Sequence, residues 1–240
     1  LLQEGKGEQA GKLFLDILEF DPGSRFLHTE IAGIYTSMGQ FERAREEYEA
    51  ALEVESENVE LSLDTMAIYN NLSFVYGRLG MKEKALETIE TAAELAPDTP
   101  VFLVNLGQTY WEMGRCDKAV EPLERAVSLG SGGAPVHNIL GVCHEKLGNI
   151  EKAAHHYEEA LEAGSTMPEV YRDYGIYNAY TANKPEKAAE LLSRYFELEP
   201  DPPDEANLHS TLGLLFQQIG RYEEAVDHLN KAALLGAADR

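Results

Sequence analysis

The chain is short of cations, sulfur and proline. Its 20 Lys and Arg stand against 42 Asp and Glu, a formal net charge of -22. No basic stripe interleaved with aromatics occurs, so the expectation is no nucleic-acid binding; such a field repels phosphates and anionic lipid and favours a cationic partner. Two cysteines cannot build a disulfide framework, and nothing in the spacing of Cys116 and Cys143 argues for a bridge. Cys143 reads as a buried, inert thiol in a small-residue slot and Cys116 as a residue beside a turn. That usage favours a reducing, cytoplasmic compartment without excluding the periplasm. No apolar run approaches the roughly 20 residues needed to cross a bilayer, so no membrane insertion is expected. Leu1 and Leu2 lead directly into Gln3 and Glu4, with neither an initiator Met nor a signal-peptide pattern. The sequence reads as a piece of a longer protein.

Catalytic patterns are also missing. His155 and His156 are adjacent and point in different directions on a helix, while His137 and His144 lack a third ligand in register. There is no His-Glu-x-x-His run and no phosphate loop. The run Gly130, Ser131, Gly132, Gly133 is short and reads as a linker. The expectation is therefore a protein without catalytic residues, metal or cofactor.

What the chain does have is periodicity. Ala10, Ala44, Ala85, Ala119, Ala153, Ala188 and Ala225 follow one another at 34, 41, 34, 34, 35 and 37 residues. Five residues before six of them lies a glycine (Gly5, Gly39, Gly80, Gly114, Gly148, Gly220), which can end a helix in a left-handed conformation without steric penalty. Four residues after each comes a large apolar group (Phe14, Tyr48, Ile89, Leu123, Tyr157, Leu192, Leu229), on the same helical face. Pro22, Pro97 and Pro200 fall where the second helix must stop. The helix before each turn carries a small residue and, three positions on, an aromatic: Gly107 with Tyr110, Gly141 with His144, Gly213 with Phe216, and more loosely Ala32 with Tyr35 and Ser73 with Tyr76. A period near 34 implies a helical pair that must stack on its neighbours to bury its apolar face.

Together these residues resemble the tetratricopeptide repeat family over nearly the whole chain. The resemblance implies an all-α helical-hairpin solenoid wound as a right-handed superhelix. The units would be 1–24 (a half repeat), 25–58, 59–99, 100–133, 134–167, 168–202 and 203–240, about 13 helices in all. Seven extra residues, 59–65, lengthen the first helix of the third unit towards 20 residues. In the sixth unit Asn183, Lys184 and Pro185 replace the turn glycine, and Tyr195 stands where others have alanine. A tyrosine there should push its helices apart. Tyr171, Tyr174 and Tyr177 read as core, and Tyr180, drifting round the helix, as a residue near the inner surface.

In the family the second helices form the outer surface. Most carboxylates fall on them, among them Glu42, Glu46, Glu83, Glu87, Glu151, Glu158 and Glu223, as a solvated face. The first helices line a concave groove that holds an extended peptide or a helix of a partner. Mapped onto this sequence, the groove offers Asn70, Asn71, Phe74 and Arg78; Asn105, Gln108, Trp111 and Glu112; Asn138, Val142 and Lys146; and Arg172 and Tyr180. Asn71 and Asn105 match the asparagines of family members that clamp chaperone tails, but Val104, Asn138 and Val142 stand where that clamp needs cations. The resemblance thus implies a non-catalytic protein-interaction scaffold. Self-association into homo-oligomers and service as the substrate-recruiting appendage of an enzyme are the alternatives.

Overall fold

The computed structural model describes residues 12, 16–54, 63–199 and 205–238. Among them are twelve helices and no strand. The first unit, Leu1–Ser131, contains α1 (Arg25–Ser37), α2 (Phe41–Glu53), α3 (Leu63–Arg78), α4 (Lys82–Leu95), α5 (Pro100–Glu112) and α6 (Cys116–Ser128). The second, Gly132–Arg240, contains α7 (Ala134–Lys146), α8 (Ile150–Glu162), α9 (Pro168–Tyr180), α10 (Pro185–Leu198), α11 (Glu205–Gln218) and α12 (Tyr222–Ala238). The boundary between them falls within the glycine-rich run 130–133. In both units each odd-numbered helix pairs with the next as an antiparallel hairpin, and hairpins then stack. Most of the leading half repeat lies outside the described residues. So do residues 55–62, and the described part of the lengthened helix, α3, runs 16 residues.

Local chemistry sets the helix ends. Pro100, Pro135, Pro168 and Pro185 occupy first-turn positions, where the missing N–H has no helical partner to lose. Ser24 caps α1 by accepting from the Leu27 N–H at 3.4 Å. Within hairpins the turn glycines take positive φ, as Gly148 does at 77°, so that the following N–H of Asn149 can bond the His144 carbonyl at 2.8 Å. The sixth unit solves the same problem with another residue. Asn183 adopts φ 52°, and its turn is one residue longer, closing from the Lys184 N–H to the Asn178 carbonyl at 2.8 Å. Asparagine is the side chain that tolerates this conformation best after glycine.

The hairpins are held by small residues crossing large ones. A Cβ on Gly141 would lie 2.7 Å from the Tyr157 ring, and one on Gly107 would lie 2.4 Å from Leu123 Cγ. Tyr157 and Leu123 are fully buried there. The sixth unit is as tight, with Leu192 at 2.8 Å from such an atom on Gly175, so Tyr195 does not open its own hairpin at the crossing. Tyr195 instead lies buried among Ala188, Leu192, Leu208 and Leu212, between α10 and α11. Stacking of hairpins buries a second set, typified by Tyr48 and Ala51 of α2 against Ile68, Leu72 and Val75 of α3. Phenol-to-carboxylate bonds strengthen these joints: the Tyr76 hydroxyl donates to Glu49 at 2.6 Å, the Tyr110 hydroxyl to Glu90, and the Tyr174 hydroxyl to Glu158 at 2.8 Å. Burial, aided by the nearby carboxylate, pushes Tyr76 and Tyr110 up to about 12.

Both cysteines are buried, and neither is a free thiol. This corrects the reading of Cys143 as an inert thiol, and it removes the ground on which a reducing compartment was favoured. The carboxylates of the second helices are exposed or half-buried as expected.

One slot repeats in a way the alanine pattern hides. It lies four residues before the small residue of the first helix and is matched 19 residues later on the second. His28 meets Glu47 there at 2.7 Å, His137 meets His156 at 3.1 Å, and His209 meets His228 at 2.8 Å, each histidine through Nδ1. His209 also has the Glu205 carboxylate 3.5 Å from Nε2, and its ring stacks on Phe196 with centroids 4.2 Å apart.

Two predictions follow from these contacts. Gly141→Ala should lower unfolding stability by about 1 to 3 kcal/mol, because Tyr157 has nowhere to move. Gly33→Ala, with only the Tyr48 hydroxyl at 3.9 Å, should gain about 0.5 to 1 kcal/mol from helix propensity. Urea titration of both variants checks the pair. The second concerns pH. Burial holds His137, His209 and His228 below the ordinary imidazole range. The unfolded chain therefore takes up protons that the folded chain refuses, so stability is complete above about pH 6.5 and falls as pH drops through the depressed folded values. The urea midpoint should fall between about pH 7 and 5.5, and less steeply in His228→Gln; equal profiles would show that His228 takes up its proton alike in the folded and unfolded chains.

Candidate functional site

In the first unit α3, α4 and α5 enclose an open cleft of about 290 Å³. Helix α3 supplies Phe74, Gly77 and Arg78 at one-turn spacing, and α5 supplies Asn105, Gln108 and Glu112 in the same way, so each helix turns one face to the cleft. Phe74 is 52% exposed although it is a large apolar residue. Its ring meets Phe41 edge-on with centroids 6.4 Å apart, and the Arg78 guanidinium lies 5.0 Å above the Phe41 ring. The amides form a short ladder: Asn105 Nδ2 donates to Asn70 Oδ1 at 2.6 Å, and Asn70 Nδ2 to Asn71 Oδ1 at 3.4 Å. Gln108 Nε2 donates to the Glu112 carboxylate at 2.8 Å, and Lys82 Nζ reaches the Glu112 carbonyl oxygen at 3.4 Å.

Five of the residues mapped from sequence, Phe74, Arg78, Asn105, Gln108 and Glu112, thus line one cavity, and Asn70 and Asn71 adjoin it through the ladder. Trp111 is half-buried and does not line it. Sequence reasoning missed Lys82, which belongs to a second helix assigned to the outer surface. The available signal was its place in the first turn of α4, where a long side chain can fold back over the hairpin end. Gly77 and Ala85, both small, were missed as lining residues as well.

The second unit places its mapped residues differently. Asn138 is buried and donates from Nδ2 to Asp173 Oδ2 at 3.1 Å, while Arg172 grips the same carboxylate at 2.8 Å. Val142 is half-buried against the Tyr157, Tyr174 and Tyr177 cluster. Lys146 is exposed at the end of α7. Tyr180 is 69% exposed with its hydroxyl 2.9 Å from Thr211 Oγ1.

Stacked hairpins, small-on-large crossings and a polar-aromatic cleft on the first helices define a helical repeat protein of the kind that presents a surface to other proteins. The tetratricopeptide repeat profile matches residues 25–98, and a second profile of the same description matches 75–134, 104–168 and 176–239. The chain belongs to the tetratricopeptide repeat family, whose members serve as protein-interaction scaffolds. Among solved structures it is similar to YrrB, a TPR protein with an unusual peptide-binding site, at 23% identity and TM-score 0.63, over 78% of this chain and 93% of that one. It is similar to PilF of Pseudomonas aeruginosa at 22% identity and TM-score 0.68, over 92% and 91%. A tetratricopeptide repeat protein from Parabacteroides merdae matches at 18% and TM-score 0.68, over 98% and 89%. At these identities the likeness bears on the fold. No curated protein sequence matches the chain. Among the described residues no helix is long and apolar enough to cross a membrane.

Proposed function

We propose that the chain is a non-catalytic scaffold that holds an extended segment of a partner protein in the cleft between α3 and α5. The observation that carries this reading is Phe74: a half-exposed aromatic ring beside a row of amide side chains. An exposed ring offers apolar contact area at little entropic expense, and Asn and Gln can both donate to and accept from a peptide backbone. YrrB, similar in fold, is described as having a peptide-binding site, which agrees with the reading. Trp111, on α5 next to Glu112, serves as a flanking contact.

The test is capture of partners from a lysate by the immobilised chain and by Phe74→Ala, followed by titration of the captured species. Truncation of the ring should weaken binding by about 1 to 3 kcal/mol while leaving the melting temperature nearly unchanged, and Trp111 emission should shift on binding. Equal binding by the two proteins, with Trp111 emission unmoved, would exclude the cleft.

A second reading, self-association, is favoured by α12, on which Tyr222, Val226 and Leu234 are all more than half exposed. It predicts a sedimentation coefficient that grows with concentration in the absence of any ligand, and that stops growing in Val226→Glu with Leu234→Glu. A constant monomer value would remove it.

A further inference from the structure

Resting on the reading that this cleft holds a partner segment, we propose that the segment is an extended peptide with an acidic side chain two residues from a bulky apolar one. In a chain with 42 carboxylates and 20 cations, a cation has many carboxylates available to it. Arg45, Arg125, Arg172, Lys187, Arg194 and Arg221 all form ion pairs. Arg78 and Lys82 form none among the described residues, and both line the same cavity. Arg78 is engaged through its face over Phe41, which leaves its N–H donors directed elsewhere; Lys82 has only a carbonyl oxygen at 3.4 Å. The one carboxylate in the lining, Glu112, accepts from Gln108 and keeps its charge, so the lining sets two cations against one anion. The cleft is a locally cationic spot on a strongly anionic molecule, and a ligand carboxylate completes it.

Spacing supplies the rest. In an extended peptide residues i and i+2 share a face and lie about 6.6 Å apart. Phe74 and Arg78 are one helical turn apart, about 6 Å along α3. An apolar side chain resting on Phe74 therefore puts the side chain two residues away against Arg78, with Lys82 facing it from α4. The backbone between them runs past Asn105 and Gln108. The cavity of about 290 Å³ has room for the side chains of a bound segment. The long-range negative field does not forbid this ligand. At physiological ionic strength charges more than about 8 Å away are largely screened, whereas a direct contact with Arg78 is not.

Three labelled octapeptide libraries, with Leu-x-Glu, Leu-x-Gln or Leu-x-Lys cores in both orders and randomised flanks, test this against the full chain at physiological salt. The Leu-x-Glu library should bind at least about tenfold more tightly than Leu-x-Gln. Arg78→Gln with Lys82→Gln should abolish that difference. Both side chains are exposed, so the variant should keep its melting temperature, and Arg78→Lys should retain part of the preference. Binding of Leu-x-Gln as tight as Leu-x-Glu, preference for Leu-x-Lys, or a preference that survives in the double variant overturns the acidic ligand and leaves the cleft reading standing. If no library binds, the acidic ligand falls too, and the cleft reading is then judged by capture with Phe74→Ala.

Discussion

The crossing of a small residue over a large one inside each hairpin is the constraint on which this protein is built. Where Gly107 passes Leu123, Gly141 passes Tyr157 and Gly175 passes Leu192, there is no room for a further carbon atom. Backbones held that close fix the angle of the hairpin, because a rigid crossing point leaves the two helices little freedom to rock. A fixed angle then decides which residues of the first helix face the partner helix, which face the next hairpin, and which remain over. Phe74, Arg78, Asn105 and Gln108 are among those left over. They line the cleft, where Phe74 meets Phe41 edge-on and Asn105 bonds Asn70.

The charges divide along the same line. Carboxylates crowd the second helices, and several act as acceptors for buried phenols at the joints: Glu49 for Tyr76, Glu90 for Tyr110, Glu158 for Tyr174. A tyrosine that packs its ring in the core and donates its hydroxyl to a surface carboxylate spans the boundary between the two environments. Part of the acidic excess is thereby structural and carries no message to a partner. Some of the fewer cations answer carboxylates, as Arg45 does Glu49 and Lys187 does Glu158, whereas Arg78 and Lys82 stand together in the cleft lining.

Nearly all of the hairpin pattern was legible in the sequence, since alanine, glycine and large apolar residues recur at fixed offsets and each offset has one steric meaning. The cleft was legible in its first-helix half for the same reason. Lys82 was not, because the rule that separates inner from outer residues assigns whole helices to a surface, and a residue in a first turn escapes it. Asn138 failed the opposite way. Its offset marks it as an inner-surface residue, yet Asp173 and Arg172 supply a polar network that draws its amide into the protein. Polarity at a groove position shows a need for hydrogen bonds without showing whether the protein or a ligand meets it. The cysteines escaped because spacing in sequence limits a thiol's state far less than it limits helix packing.

The repeated slot 19 residues wide shows how such an array varies without losing its form. The same pair of positions holds a histidine with a carboxylate in one hairpin, two histidines in two others, and Leu103 with Pro122 in the α5–α6 pair. What the slot demands is that two side chains fill the space between helices and satisfy one another, and both polar and apolar pairs do so. The small-on-large crossing admits no comparable freedom, because its limit is the distance between backbones. Conformity to the family is therefore concentrated at positions that set geometry. Chemistry particular to this chain, in the histidine pairs as in the cationic cleft, occupies the positions that geometry leaves open.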